Sequence, residues 1–330
     1  MRDFFSMKQK VRIMQLMLVL SILLMALKFY AWYITHSNAI LTDAFESTVN
    51  VAAGAFAMFS MMYAARPRDE DHPYGHGKIE FVSAGFEGAL VILAGGFIFY
   101  HSIEGLITPY EFHRPDVGAW LSALAGVINF VMGYFLVRKG KKQDSALMVA
   151  NGKHLISDTI SSVGLVAGLV LIYFTGLTWI DNALALLLAA YLIYTGFKIV
   201  RESLASLLDE QDRKKVLAMI RILNEKRRTQ WIDVHNLRVL KYGSVLHVDA
   251  HITLPWYYSL EQSHDEVTAL EQLLQKEMGA EMEFFIHADP CLDHSCTICP
   301  IENCAHRKSP MKARLEWTEQ NMLPDRKHSV

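Results

Sequence analysis

Residues 38–64 read NAILTDAFESTVNVAAGAFAMFSMMYA. The hydrocarbon core of a bilayer, ~30 Å thick, takes about 20 helical residues, so this run is long enough to cross it. Yet it carries Asp43, Glu46 and Asn50. Spaced i, i+3 and i+7, the three share one helix face. A charge at membrane depth costs at least ~2.5–3.5 kcal/mol, so such a face needs partners or a function. Working outward, further apolar runs at 12–34, 80–107, 117–138, 146–175 and 179–201 complete a predicted set of six transmembrane helices. The first is too long for a leader peptide, lacks a small-residue cleavage site and precedes more spans, so it is expected to be retained.

The run 146–175 repeats the pattern, with His154 and Asp158 at i, i+4 on one face. Two such faces offer carboxylate oxygen, amide oxygen and imidazole nitrogen. If they meet, Glu46, Asn50, His154 and Asp158 make a four-donor site for a divalent cation, with Asp43 in reserve. The competing reading is interhelical hydrogen bonding or snorkelling at helix ends. Lys28 reads as a partner for a carboxylate or a snorkelling residue. Glu87, His101, Glu104 and Asp181 read as hydrated or hydrogen-bonded packing residues, and Lys153 as pointing away from its neighbour His154.

Composition sets the outer limits. Of 330 residues, 52% are apolar and 20% charged, and 32 basic against 34 acidic residues leave a net charge of −2. That balance gives no bulk attraction to nucleic acid, which is not an expected partner. The apolar content excludes a disordered chain. All 4 cysteines fall between Cys291 and Cys304, which does not suit a disulfide scaffold. The averages conceal a division near residue 208: beyond it charge density rises, and 8 of the 14 histidines appear. Lys and Arg in the connections number eleven on the side of the N-terminal tail and one on the other. This places both termini in the cytoplasm. The absence of an organelle signal directs the expectation to a bacterial inner membrane.

Past residue 208, periodicity predicts a charged helix over 212–228, strands over 233–241 and 245–253, a helix over 261–278 and a strand over 282–288. Alternation in Val245–Ile252 puts His247, Asp249 and His251 on one strand face. Helix–strand–strand–helix–strand points to an α+β domain of ferredoxin-like type. The expected division is therefore a transport domain at 1–208, a cytoplasmic ferredoxin-like domain at 209–290 and a Cys-rich segment with a tail at 291–330. Residues 308–330 read as polar and poorly ordered.

The link at 66–80 reads RPRDEDHPYGHGKIE. Pro73, Gly75 and Gly77 rule out a regular helix, so His72 and His76 converge only through a turn, with Asp69 three residues earlier. This stretch resembles the His-x-x-Gly-His-Gly-Lys-x-Glu motif that follows the second span in the cation diffusion facilitator family. Six spans, cytoplasmic termini, the His154/Asp158 pair and the α+β tail agree with that family, and the resemblance covers residues 10–290.

Several expectations follow from the resemblance. Family members are homodimeric exporters of Zn²⁺ and related divalent metals in exchange for protons. By position, the transport quartet is Glu46, Asn50, His154 and Asp158. Zinc-type members carry Asp or His, then Asp, where this chain has Glu46 and Asn50, so the empty quartet bears two negative charges rather than three. Harder oxygen donors tilt a site from Zn²⁺ towards Mn²⁺ or Fe²⁺. The loop site maps to Asp69, His72 and His76; alternatively the loop only braces the turn, with Lys78 pairing Asp209. The family's dinuclear site maps to His235, His251, His264, His287 and Asp289, where bound metal draws two protomers together as a regulatory ion. His247 is an extra imidazole on the same strand face.

Beyond the shared region lies Cys291-x₄-Cys296-x₂-Cys299-x₄-Cys304, with Asp293, His294 and His306 nearby. Four thiolates so close together suit tetrahedral Zn²⁺. They also suit redox sensing or first capture of a soft transported metal, and the spacing does not single out an iron–sulfur cluster. The plain alternative is free thiols in a reducing cytosol. Two other classes compete with a transporter. A membrane di-metal enzyme needs several His-rich boxes at one membrane face, and only one His-x-x-x-His pair occurs. A membrane-anchored metal sensor without transport needs no charges in mid-bilayer.

Overall fold

The computed structural model describes residues 2–108, 114–142, 146–243, 245–279 and 281–328; the side chains of 2–12, 14, 57, 61, 140–151 and 154 lie outside the description. Six long helices come first: α1 (Arg2–Thr35), α2 (Asn38–Ala64), α3 (Ile79–Ile107), α4 (Pro115–Lys142), α5 (Ala146–Thr175) and α6 (Trp179–Leu207). Among them α1, α3, α4, α5 and α6 contain stretches long and apolar enough to cross a membrane. With 27 residues α2 matches them in reach, at ~1.5 Å per residue, but interrupts its apolar run with Asp43 and Glu46. The chain then forms α7 (Arg213–Lys226), β1 (Asp233–Tyr242), β2 (Val245–Leu254), α8 (Leu260–Met278) and β3 (Met282–Pro290), a 3₁₀ turn at Asp293–Thr297 and a short α9 (Glu319–Met322).

These elements divide into two compact units, Met1–Ser60 with Val82–Ser203, and Met61–Phe81 with Leu204–Val330. In the first, two buried apolar clusters hold the helices. One joins Ala31, Ile40, Ile98, Leu165, Leu169 and Ala189, the other Met17, Leu24, Ala125, Met132 and Leu136. Outward-facing Leu93, Ile160, Phe174 and Leu187 are each more than two-thirds exposed, as apolar side chains are where lipid rather than water covers them. Between α3 and α6 the backbones nearly touch: a Cβ on Gly88 would stand 2.9 Å from the Gly196 carbonyl oxygen. A Cβ on Gly133 of α4 would meet the Gly152 carbonyl oxygen of α5 at 2.7 Å. Small residues at such crossings drive helix association in lipid, where no hydrophobic effect does so.

Several polar side chains of this unit find their partners inside it. Asp181 accepts hydrogen bonds from Ser37 Oγ and the Asn38 backbone N–H, each 2.6 Å, and Ser37 Oγ accepts from the Ile40 N–H at 3.0 Å. The start of α2 is thereby capped and tied to α6. Asp181 thus serves as a hydrogen-bonded packing residue, and Lys153 is exposed.

In the second unit the sheet order is β1-β2-β3, with β1 antiparallel and β3 parallel to β2. The helix–strand–strand–helix–strand order is as expected. A fourth strand, which a complete ferredoxin-like sheet carries, is not found among the described residues. Leu246, Val248, Ala250 and Ile252 alternate along β2 onto a core shared with Val216, Met219 and Leu223 of α7 and Leu270 and Leu274 of α8. Ser259 begins α8 with a reciprocal capping box to Gln262, and Gly279 ends it at φ 60°.

The C-terminal segment corrects the expectation of a loose polar tail. Trp317 is 1% exposed within the sheet–helix core, and Met322 is fully buried. Asn224 of α7 brackets Trp317 by donating to its carbonyl (2.6 Å) and accepting from its N–H (3.0 Å), while the Arg227 guanidinium covers the indole at 3.9 Å. Leu315, Trp317, Met322 and Leu323 are few in a polar stretch, but together they anchor it.

Candidate metal sites

Within the helical unit, α2 and α5 meet where both carry polar donors. Asn50 Nδ2 donates to Asp158 Oδ2 at 3.0 Å. Glu46, Asn50 and Asp158 line one cavity of about 170 Å³, together with Ser157, Ser161, Thr195 and Glu87. His154 lies on α5 one turn before Asp158, and its side chain is outside the described residues. Asp43 is engaged elsewhere: its Oδ1 accepts from the buried Lys28 ammonium at 2.7 Å. Lys28 is its counter-ion, and replacing either partner of such a pair would leave the other charge buried. Glu87 on α3, read from sequence as a packing residue, faces the same cavity as Glu46. Glu80 and Ser83 precede it at i−7 and i−4 on the same helix face, a spacing that could have singled it out.

The loop of the second unit gathers Asp69, His72 and His76 into a group whose donor atoms lie within 4.8 Å of one another. Asp69 Oδ1 accepts from the His72 N–H at 2.7 Å and stands 2.9 Å from His72 Nδ1, while Oδ2 is 3.2 Å from His76 Nε2. The hydrogen bond from His72 holds the Asp69 carboxyl below its usual range. His76 is buried under Tyr63, edge to face at 4.9 Å. The bracing contact expected of Lys78 is also present, to Asp209 at 2.9 Å. Gly77 passes so close to β1 that a Cβ there would stand 2.6 Å from the Tyr242 carbonyl oxygen. Arg68 adds a two-pronged contact to Glu283 of β3. The loop thus braces the fold and clusters donors at once.

On the sheet, register does the positioning. His235 of β1 sits opposite His251 of β2, and His251 opposite His287 of β3, so three strands place three imidazoles in one row. Asp289, two residues along β3, returns to the same face. Its Oδ2 lies 3.3 Å from His251 Nδ1 and 3.5 Å from His235 Nε2, and its Oδ1 lies 3.7 Å from His287 Nε2. His235, His251 and Asp289 form the second group of donors within 4.8 Å. Burial depresses the His235 pKa, with Asp233 and Asp289 opposing, so the imidazole favours the neutral form a metal needs.

The tail completes this face: Lys327 Nζ lies 3.3 Å from Asp289 Oδ1, and His328 Nδ1 lies 2.8 Å from Asp233 Oδ1. Neither residue was legible as part of the site, because a folded-back tail leaves no local signature.

His264 is not brought to this group. It is exposed on α8, the helix that covers the apolar face of the sheet with Leu270 and Leu274, whereas the imidazole row occupies the opposite face. His247 pairs with Glu283 at 3.5 Å instead. The four cysteines, all unpaired, line one small cavity.

Two family models match the chain: the cation efflux transmembrane domain over residues 14–208, and the cytoplasmic domain of cation efflux proteins over residues 211–291. Among similar proteins is an uncharacterized transporter of Synechocystis, 32% identical over 82% of this chain and 86% of its own length. Cation-efflux pumps named FieF from Citrobacter koseri and Salmonella newport are each 27% identical, over 83% and 81% of this chain and 90% and 88% of their own lengths.

Proposed function

Because the chain belongs to the cation diffusion facilitator family of cation efflux transporters, we propose that it exports a divalent metal in exchange for protons by alternating access. The cargo is Zn²⁺, with Mn²⁺ or Fe²⁺ also accommodated by the oxygen-rich quartet. The observation that carries this reading is the Asn50–Asp158 hydrogen bond across α2 and α5, in a cavity that Glu46 also lines. A cation entering there takes Glu46, Asn50, His154 and Asp158 as ligands. The Asn50 amide, which now donates to Asp158, turns over to offer Oδ1. Ligands bind metal deprotonated, so protons compete with the cargo and favour its release on the more acidic side. Glu46, His154 and Asp158 carry those protons; an amide cannot.

In this reading all six long helices span a bacterial inner membrane with both termini in the cytoplasm. Residues 1–208 form the transport domain, 209–290 a cytoplasmic ferredoxin-like dimerisation domain, and 291–330 the appended Cys segment. Metal at Asp69, His72 and His76, and at His235, His251, His287 and Asp289 with His264 supplied across a homodimer, reports cytosolic metal to the transport domain. The test is uptake of Zn²⁺, Mn²⁺, Fe²⁺ and Cd²⁺ into proteoliposomes under a pH gradient, with Asp158→Ala as control. Flux that is indifferent to the gradient or to Asp158 would refute the antiport reading. Metal binding with no flux at all would favour a membrane-anchored sensor.

A further inference from the structure

The segment after β3 has little apolar core of its own. From Cys291 to Arg307 its regular structure is one 3₁₀ turn, Asp293–Thr297, and its buried contacts are Ile298 and Cys299 against Ile232. It is nonetheless organised around sulfur. Cys291, Cys296, Cys299 and Cys304 line a single cavity of about 30 Å³. Two of the sulfurs accept backbone hydrogen bonds: the Trp256 N–H donates to Cys291 (3.4 Å) and the Lys308 N–H to Cys296 (3.5 Å). Backbone N–H groups aimed at sulfur suit the thiolate that each cysteine becomes once metal displaces its proton.

Arg307 fixes the loop around them. Its guanidinium donates to the carbonyls of Cys296 (3.1 Å), Cys299 (3.0 Å) and Ile301 (2.6 Å). It thereby sets a fixed positive charge beside the cavity, which offsets part of the charge of four thiolates around a divalent ion. His306, the nearby imidazole, is packed against Trp256 and Tyr257 with ring centres at 4.8 and 5.0 Å.

We propose that Cys291, Cys296, Cys299 and Cys304 form a tetrathiolate site for one thiophilic divalent cation of the Zn²⁺ class, which staples the C-terminal segment to the sheet. Three of its four ligands lie past the matched family domain, which ends at Cys291, and the site is independent of the transport reading. Binding releases thiol protons to solvent and changes no oxidation state. Tetrahedral Zn–S bonds of ~2.3 Å bring sulfurs to about 3.8 Å from one another. Among the described residues, no three of the sulfurs yet gather within 4.8 Å as the other two donor groups do, so loading contracts the cavity. The staple sits at the root of the stretch that carries Trp317 into the core and Lys327 to Asp289.

The test uses the full-length protein in detergent, stripped of metal and reloaded with Co²⁺. The expected spectrum shows thiolate-to-Co²⁺ charge transfer that survives His235→Ala with Asp289→Ala and disappears in Cys299→Ser with Cys304→Ser. In the unmutated protein, Zn²⁺ slows reaction of the cysteines with a thiol reagent by at least about tenfold, and a chelator restores it. This second measurement does not depend on any variant folding. Thiol reactivity unchanged by Zn²⁺, a Co²⁺ spectrum without thiolate bands, or an iron–sulfur chromophore in the protein as isolated would each overturn the proposal.

Discussion

The cavity between α2 and α5 and the imidazole row across β1, β2 and β3 are both clusters of metal-type donors, but they are assembled differently. In the cavity, donors come in pairs one helical turn apart, and the Asn50–Asp158 hydrogen bond joins the two helices at that point. On the sheet, no two of His235, His251 and His287 are near in sequence. Backbone register aligns them, and the returning tail adds Lys327 and His328. A helix writes its face into local spacing; a sheet writes its face only into pairing. The cavity is therefore the easier of the two to find from sequence and the easier to rearrange in space.

The largest effect is expected where the sheet depends on its tail. Trp317→Ala should lower the stability of the second unit by ~3–5 kcal/mol, the usual loss for a buried indole, read by thermal or chemical unfolding. It should also free Lys327 from Asp289 and leave flux through the cavity less affected. Unchanged stability would show that the row needs only its three strands. Asp158→Ala should reduce metal flux by at least about 100-fold, beyond the 10–100-fold typical of a lost supporting contact. Flux within a few-fold of normal would break the comparison, because the cavity would then be packing rather than a site.

What could be read in advance follows this division. The bounds of α2 and α5 were predicted to the residue, because apolar periodicity and breakers are local signals. The meeting of Asn50 with Asp158 followed from two polar faces that lipid cannot accept. In the sheet, alternation placed His247 and His251 on one face, but nothing local could say that His247 would pair with Glu283 while His251 joined Asp289. Asp43 was ambiguous because Lys28 lies fifteen residues away on another helix. The tail misled because its polar residues outnumber its anchors, and burial is decided by whether a few large side chains find a pocket rather than by average composition.

Two smaller effects sharpen the contrast. Asn50→Asp gives the quartet the third carboxylate expected of zinc-type members, so Zn²⁺ should gain over Mn²⁺ by about tenfold in competition uptake, with steeper inhibition by protons. An unchanged preference would remove Asn50 from the ligand set. Least of all, Glu283→Gln should cost the second unit under ~1 kcal/mol, since its Arg68 partner is half exposed. Arg68 holds the Glu283 carboxyl below its ordinary value. Its contribution is therefore present above that ordinary value and fades as pH falls through the lowered one. Unfolding midpoints of the two proteins should converge in acid, and a gap that persisted there would mean the glutamate acts through packing.

The glycine crossings constrain how such a machine can move. With Gly88 against Gly196 and Gly133 against Gly152, main chain lies on main chain, and neither a side chain nor a lipid tail can slip between. Helices clasped this closely travel as coupled rods. Under the proposed alternating access, the play needed to admit an ion on one side and discharge it on the other falls to the seam at Asn50 and Asp158, so that the gate and the binding seat share the same few atoms.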